Sequence, residues 1–298
     1  MTNCRPRPRV HVTGPVPGRI AAALRESFAL VATLESADGI LALLTTTIDD
    51  DYLAAAGTQL KVVANYGAGV DNIDLEAARA RAVLVANTPD VLTESTAELA
   101  ITLTLALLRR VVEGDRFLRA RRAWRFQIEF MLGEGLRGKQ FGVVGAGRIG
   151  RATARLAEAH GARPLTVGRG GDLEALLRAA DVVSLHCPLT PETHHLIDAS
   201  ALERMKPTAV LVNTARGPIV DERALAAALR SGSIAGAALD VFEHEPAVTE
   251  ELLAFENVVL TPHLGSATRA TREEMGLLAV HALTEVLLHG RVPANAVP

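Results

Sequence analysis

Residues 139–150, KQFGVVGAGRIG, decide the fold. FGVV reads as a short buried strand, and the RATARLAEAHG that follows has helix-forming composition. Between them stand Gly145, Gly147 and Gly150 in the spacing G-x-G-x-x-G. That spacing is weak alone, because glycine-rich turns are common; the strand before it and the helix after it make it specific. Gly145 permits the tight turn, Gly147 lets backbone approach a pyrophosphate, and Gly150 lets helix and strand pack closely. The helix N-terminus adds free N–H groups and a partial positive charge for phosphates. A bound dinucleotide is the expectation.

Outward from this loop, the same alternation fills the chain. Upstream, β-rich runs are RVHVTG (9–14), FALVATL (28–34), GILALLT (39–45), LKVVAN (60–65) and AVLVAN (82–87), separated by helix-forming segments. Downstream, strands are expected near 140–144, 163–167, 181–185, 208–213, 235–240 and 257–260, with helices at 148–160, 172–179, 221–231 and around 249–254. Such alternation predicts right-handed βαβ units on parallel sheets, an α/β fold. At 298 residues the chain can bury two cores. A long helix is expected from Ser95, with Glu98 in capping-box spacing, through STAELAITLTLALLRRVVEGDRFLRA. Its first half is too apolar for a one-sided surface helix, so burial between domains or against another subunit is expected. A last helix follows Ser266 and stops at Gly290.

The adenine ribose of a bound dinucleotide is usually held by an Asp or Glu about 20 residues beyond the glycine loop. Here LTVGRGGD (165–172) puts Gly168 and Arg169 in that place, and Asp172 is its first carboxylate. A carboxylate would repel a 2′-phosphate; Gly168 removes the repulsion and Arg169 can supply the counter-charge. The stretch favours NADP(H). NAD(H) is the alternative, with Arg169 solvated and Asp172 turned toward the ribose.

Ligands of open α/β sheets bind beyond the carboxyl ends of the strands. Three consecutive expected strands of the second block lead to Arg216 in TARG, Glu245 in VFEHEP and His263 in TPH. Arg216 offers a planar fork that can grip a carboxylate and polarise a neighbouring carbonyl. His263 can give a proton to that carbonyl oxygen as hydride arrives, and Glu245, hydrogen-bonded to the imidazole, would favour its charged form. The trio suits reduction of a 2-keto acid to a 2-hydroxy acid. Any one of them alone reads more simply as a solvent contact or local salt bridge. Glu243 is the rival carboxylate, and His186, His194 and His195 read as structural, lacking a nearby Arg/Glu pair in the pattern.

A hydrophobic share of 49% with 22% charged residues belongs to a globular protein and excludes disorder. The net charge is −3 with scattered Lys and Arg, which argues against nucleic acid; RRVVEGDRFLRARRAWR (109–125) is locally basic but reads as a solvated helix face. The most hydrophobic run, ELAITLTLALL, is 11 residues, too short to span a membrane, and no signal-peptide core precedes it, so a soluble cytoplasmic protein is expected. Cys4 and Cys187 lie far apart without metal-ligand spacing, so neither a disulfide nor a metal site is expected.

Several motifs, in order and almost end to end, resemble the D-isomer-specific 2-hydroxyacid dehydrogenase family. They are NYGAGVDNID (65–74), NTPDVLTESTAELA (87–100), GVVGAGRIG (142–150), DVVSLHCPLTPETHHLI (181–197), VNTARGPIVDERAL (212–225), AALDVFEHEP (237–246) and LTPHLGSAT (260–268). The resemblance implies two Rossmann-like, doubly wound parallel-sheet domains. One is a flavodoxin-like substrate-binding domain over 1–90 and 269–298; the other is a dinucleotide-binding domain with its dimerisation helix over 91–268. Catalytic roles carry over to Arg216, Glu245 and His263. Substrate-carboxylate binding carries over to backbone N–H groups at Ala68, Gly69 and Val70, a close approach that glycine permits. Cofactor contacts carry over to Thr96, Thr214, Asp240 and Gly265, with Arg148 and Ile149 against the phosphates. The resemblance also implies a homodimer.

The chain looks most like the glyoxylate/hydroxypyruvate reductase branch, on GRGG and on AWRFQIEFMLGEGL (123–136). There Trp124 or Phe126 is a candidate either to reach the partner's active site or to pack in the dimer interface. The alternatives are an NAD-linked relative acting on another 2-hydroxy acid such as 3-phosphoglycerate, and a dinucleotide-sensing binding protein without turnover. The intact Arg216, Glu245 and His263 set weighs against the latter.

Overall fold

The computed structural model describes residues 6–298, so Cys4 lies outside the described residues. The chain forms two compact units: the part up to Leu92 together with Thr268–Pro298, and Thr93–Ala267. In the first unit β1 (Arg9–Val12), α1 (Gly18–Ser27), β2 (Ala29–Val31), β3 (Gly39–Ala42), α2 (Asp50–Ala56), β4 (Val62–Asn65), α3 (Leu75–Ala80) and β5 (Leu84–Ala86) follow in turn. Their strands pair in parallel in the order β2-β1-β3-β4-β5, the flavodoxin-like winding. β3 and β4 are buried at every position, so they read as unbroken apolar runs rather than alternating ones. Asp49 and Asp74 start α2 and α3 by accepting from the N–H groups of Tyr52 and Ala77.

The second unit contains α4 (Thr93–Leu108), α5 (Val111–Arg119), β6 (Gln140–Val144), α6 (Arg148–Ala159), β7 (Arg163–Val167), α7 (Leu173–Ala179) and β8 (Val182–Leu185). It continues with α8 (Ala199–Arg204), β9 (Val210–Asn213), α9 (Glu222–Ser231), β10 (Gly236–Leu239), α10 (Glu250–Leu253) and β11 (Val258–Leu260). Its six strands are parallel in the order β11-β10-β9-β8-β6-β7. The strand order reverses between β6 and β8, so the loop after β6 stands at the switch point where doubly wound sheets bind ligands. Alternate strand residues feed two apolar layers. Val183, Leu185, Leu211 and Leu239 face one, and Val182, Val210, Val212 and Ala238 face the other. α11 (Arg269–His289) belongs to the first unit, packs on α1, β3 and β4, and ends at Gly290 in the left-handed conformation.

Two expectations about helices need correction. The single long helix from Ser95 is two helices: α4 begins at Thr93, leaving Ser95 inside it, and Arg110 at φ 53° turns the chain before α5. The apolar half of α4 is buried on its own unit's sheet, with Ile101, Leu103 and Leu107 packed among Val143, Val182 and Val210. α8 had no expectation at all, because a helix of ASALER is shorter than two turns and carries no readable period. Among the described residues no helix is long and apolar enough to cross a membrane.

Candidate active site

The glycine loop fits a dinucleotide on three separate counts. Gly145 has φ +109°, and a Cβ there would press on the His186–Cys187 peptide. A Cβ on Gly150 would collide with the Gly145 carbonyl oxygen, so this close helix–strand approach requires glycine. Gly147 is different: no heavy atom lies within 4 Å of an added Cβ. It is also the N-cap of α6, with no side chain capping the helix, which suits a phosphate at the helix N-terminus. Arg148 is exposed and Ile149 half-buried in that first turn. Nearby in sequence to β9, the Thr214 hydroxyl is buried without a hydrogen-bond partner among the described residues, as a contact awaiting a ligand would be.

Gly168 follows β7 beside this loop: its added Cβ would lie 3.5 Å from Ala146 Cβ. Arg169 is exposed. Asp172 accepts from the Ala175 N–H at 2.9 Å and caps α7. The competing reading, in which Asp172 turns to the ribose, would have to break that cap.

Arg216, Glu245 and His263 follow β9, β10 and β11, which are neighbours in the sheet. Asn213, at the end of β9, donates to the Arg216 carbonyl at 2.8 Å and accepts from the Ala215 N–H at 3.0 Å, which shapes the turn. Gly217 packs so tightly on the Phe242–Glu243 peptide that any Cβ would collide. Glu245 Oε2 lies 2.9 Å from His263 Nδ1, and Oε1 accepts from the Phe242 N–H at 3.0 Å. Burial pushes the Glu245 carboxyl toward its neutral form. The hydrogen bond and charge of His263, the Phe242 N–H and the Arg216 charge outweigh that and hold its pKa below the ordinary carboxylate value. With Nδ1 committed, Nε2 is the nitrogen left for a substrate oxygen, on a side chain 35% exposed.

Asp240 builds the loop that carries the histidine. Fully buried, it accepts from Thr261 Oγ1 at 2.6 Å, from the Leu264 N–H at 2.7 Å and from the Gly265 N–H at 2.8 Å. Burial raises its pKa against those bonds. The His263 N–H donates to the Asp240 carbonyl at 2.8 Å, holding His263 at φ +54°. Thr96 on α4 donates to the Gly265 carbonyl at 3.2 Å, so Thr96, Asp240 and Gly265 form one cluster.

Glu243, the rival carboxylate, is engaged elsewhere. It lies 2.7 Å from His195 Nε2, and its N–H donates to Glu222 Oε1 at 2.7 Å. The sequence pattern assigned His195 no acidic neighbour; Glu243, 48 residues on, is that neighbour. In the first unit the carbonyls of Ala68 and Gly69 accept from the side-chain amides of Asn87 and Asn65, at 2.6 and 2.7 Å. Those asparagines were not among the expected site residues. Their signal is the repeated V-A-N, a polar residue closing a buried apolar run at 63–65 and again at 85–87.

A glycine-rich turn at the switch point of a parallel sheet, with a His–Glu pair and an Arg at adjoining strand ends, defines a class: dinucleotide-dependent α/β oxidoreductases. Residues 101–265 match the family described as D-isomer specific 2-hydroxyacid dehydrogenase, NAD binding domain. The chain is 47% identical over 286 residues to the glyoxylate reductase of Aeropyrum pernix, taking in 90% of this chain and 85% of that one. It is 43% identical over 285 residues to that of Thermococcus litoralis, covering 90% and 86%. Among solved structures, the NADPH-dependent glyoxylate/hydroxypyruvate reductase of Sinorhizobium meliloti, in complex with NADP and malonate, superposes with a TM-score of 0.87 at 36% identity, covering 98% of this chain and 97% of that one. The protein belongs to the D-isomer specific 2-hydroxyacid dehydrogenase family and is an enzyme that uses a nicotinamide cofactor.

Proposed function

We propose that the enzyme reduces glyoxylate and hydroxypyruvate to the D-2-hydroxy acid with NADPH. The observation that carries this reading is the His263 Nδ1 to Glu245 Oε2 contact of 2.9 Å beside the Arg216 turn. A bound nicotinamide supplies hydride to the keto carbon. Arg216 grips the substrate carboxylate with its fork and draws electron density from the adjoining carbonyl. The N–H groups at Ala68, Gly69 and Val70 are donors of the kind that binds a carboxylate. His263 gives the Nε2 proton to the carbonyl oxygen and takes it back in the reverse direction, while Glu245 stabilises the imidazolium and fixes the ring. Thr96, Thr214, Asp240 and Gly265 would hold the nicotinamide end, and Arg148 and Ile149 the phosphates. The unit Thr93–Ala267 is the dinucleotide-binding domain and the other the substrate-binding domain.

The preference for NADPH rests on Gly168, on Arg169 as counter-charge, and on Asp172 being held as the α7 cap. The names of the relatives support the choice of substrates. A homodimer is supported by the apolar side chains left exposed on α5 and the arm after it: Leu118, Trp124, Phe126, Ile128 and Leu132. Trp124 stacks on Phe130 within its own arm, whereas Phe126 is 81% exposed, so Phe126 is the better candidate to reach a partner.

Steady-state rates with each coenzyme and each keto acid test the reading. NADPH should give the higher kcat/KM, and Gly168→Asp should move the preference toward NADH. Failure to oxidise either coenzyme with a panel of 2-keto acids overturns it.

A further inference from the structure

Two asparagines hold the turn at 68–70 from behind, and two more hold those two. Asn87 Nδ2 donates to the Ala68 carbonyl at 2.6 Å, and Asn65 Nδ2 donates to the Gly69 carbonyl at 2.7 Å. Asn65 is fully buried and exchanges two amide bonds with Asn72, at 3.1 and 3.2 Å, while Asn72 also donates to the Thr46 carbonyl. Asn87 in turn is gripped by the C-terminal tail. Asn295 Nδ2 donates to the Asn87 carbonyl at 2.5 Å, and the Asn87 N–H donates to the Asn295 carbonyl at 3.2 Å. The tail is itself fastened to β5, because the Val297 N–H donates to the Val85 carbonyl at 2.8 Å and Ala296 bridges Ala86 antiparallel.

A trans peptide plane points its N–H opposite to its C=O. Pinning the Ala68 carbonyl therefore aims the Gly69 N–H the other way, and pinning the Gly69 carbonyl aims the Val70 N–H. Among the described residues, neither N–H enters a hydrogen bond with the protein. Two adjacent donors held in fixed directions make an anion-binding concavity, and their fixity is what lowers the cost of binding.

We propose that the lattice Asn65–Asn72–Asn87–Asn295 is the positioning device for this turn, and that the C-terminal tail acts through it on substrate affinity. This rests on the reading that the turn holds the substrate carboxylate. Asn65 and Asn87 act directly on the backbone of 68–70, and Asn72 and Asn295 act through them.

The test separates substrate affinity from everything else. Asn87→Ala should raise KM for the keto acid roughly 10-fold, the weight of a lost hydrogen bond of about average strength, with kcat and the KM for NADPH within about twofold of the unaltered enzyme. Asn87→Asp keeps the shape but turns the donor into a charged acceptor facing the Ala68 carbonyl, and should do at least as much. Asn295→Ala should shift KM in the same direction by less, and should add little to Asn87→Ala because both act on one path. An unchanged keto-acid KM in the folded Asn87 variants overturns the proposal. If those variants do not fold, an unchanged KM in Asn295→Ala overturns it.

Titrating ¹⁵N-labelled holoenzyme, loaded with reduced cofactor, with oxamate tells the two possible failures apart. Silent Gly69 and Val70 amides overturn the carboxylate reading and the proposal with it. Amides that respond, together with unaltered oxamate affinity in the Asn variants, overturn the lattice alone.

Discussion

His263 and Glu245 meet through one nitrogen and one oxygen, and the proposed proton transfer depends on that choice. In the proposed reaction a carboxylate on Nδ1 leaves Nε2 to exchange a proton with substrate and stabilises the ring once it is charged. His263→Ala should still bind coenzyme, by fluorescence titration, and lose turnover by a factor on the order of 100 or more. Glu245→Gln keeps the hydrogen bond but removes the charge that favours imidazolium. Its kcat should drop roughly 10-fold at neutral pH. An unchanged kcat in Glu245→Gln would show that the carboxylate charge has no part in turnover. Arg216, Glu245 and His263 could be singled out in the sequence because each follows an apolar run on one edge of the sheet. The choice of Glu245 over Glu243 came from the motif resemblance, because both lie in FEHEP and spacing alone does not separate their directions.

The strand–loop–helix from β6 to α6 shows glycine used for two unlike reasons. Gly150→Ala must push on the Gly145 carbonyl and should lower stability by about 1–3 kcal/mol, measured by urea unfolding. Gly147→Ala meets no protein atom and should unfold like the unaltered protein. Its methyl occupies the space facing the α6 N-terminus, so coenzyme Kd should rise about tenfold, roughly 1.4 kcal/mol. Equal stability loss in both variants would show that the space before Gly147 is not a ligand's. This element was legible in full, because its turn, strand and helix signals lie within a dozen consecutive residues. The break between α4 and α5 was not, since LLRRVVEG continues a helical composition and the turn is made by Arg110 in a conformation that no residue type there announces.

Across the whole molecule, acid should act through groups whose protonation differs between folded and unfolded chains. His186 has its Nδ1 buried without a partner, and burial pushes its pKa down to about 4. The unfolded chain therefore takes up a proton that the folded chain refuses, and stability falls as pH drops from 6.5 toward 4. The full effect is at most about 3 kcal/mol. Asp38, Asp181 and Glu245 act in the same sense at lower pH. Burial would raise their pKa values, but Arg9, Lys206 and His263 with backbone N–H groups lower them on balance. Their contribution is present above the ordinary carboxylate range and is lost as pH falls through their folded values. Urea midpoints between pH 7.5 and 5 should fall for the unaltered protein, and the upper part of that fall should flatten in His186→Gln. At the same scale, Phe126→Glu with Ile128→Glu should convert a dimer to monomer in sedimentation; a monomer before the change would remove the proposed interface.

The amino-acid sequence by itself determined the α/β class, the site of the glycine loop and the residue types at the strand ends, because each depends on neighbours a few positions away. Only the tertiary structure committed Asp172 to a helix cap, gave Glu243 to His195 and Glu245 to His263, and brought Asn295 behind Asn87. The physical reason is direction. Two chemically identical side chains differ only in where the backbone aims them, and that aim is set by hydrogen bonds between segments as far apart as 208 residues.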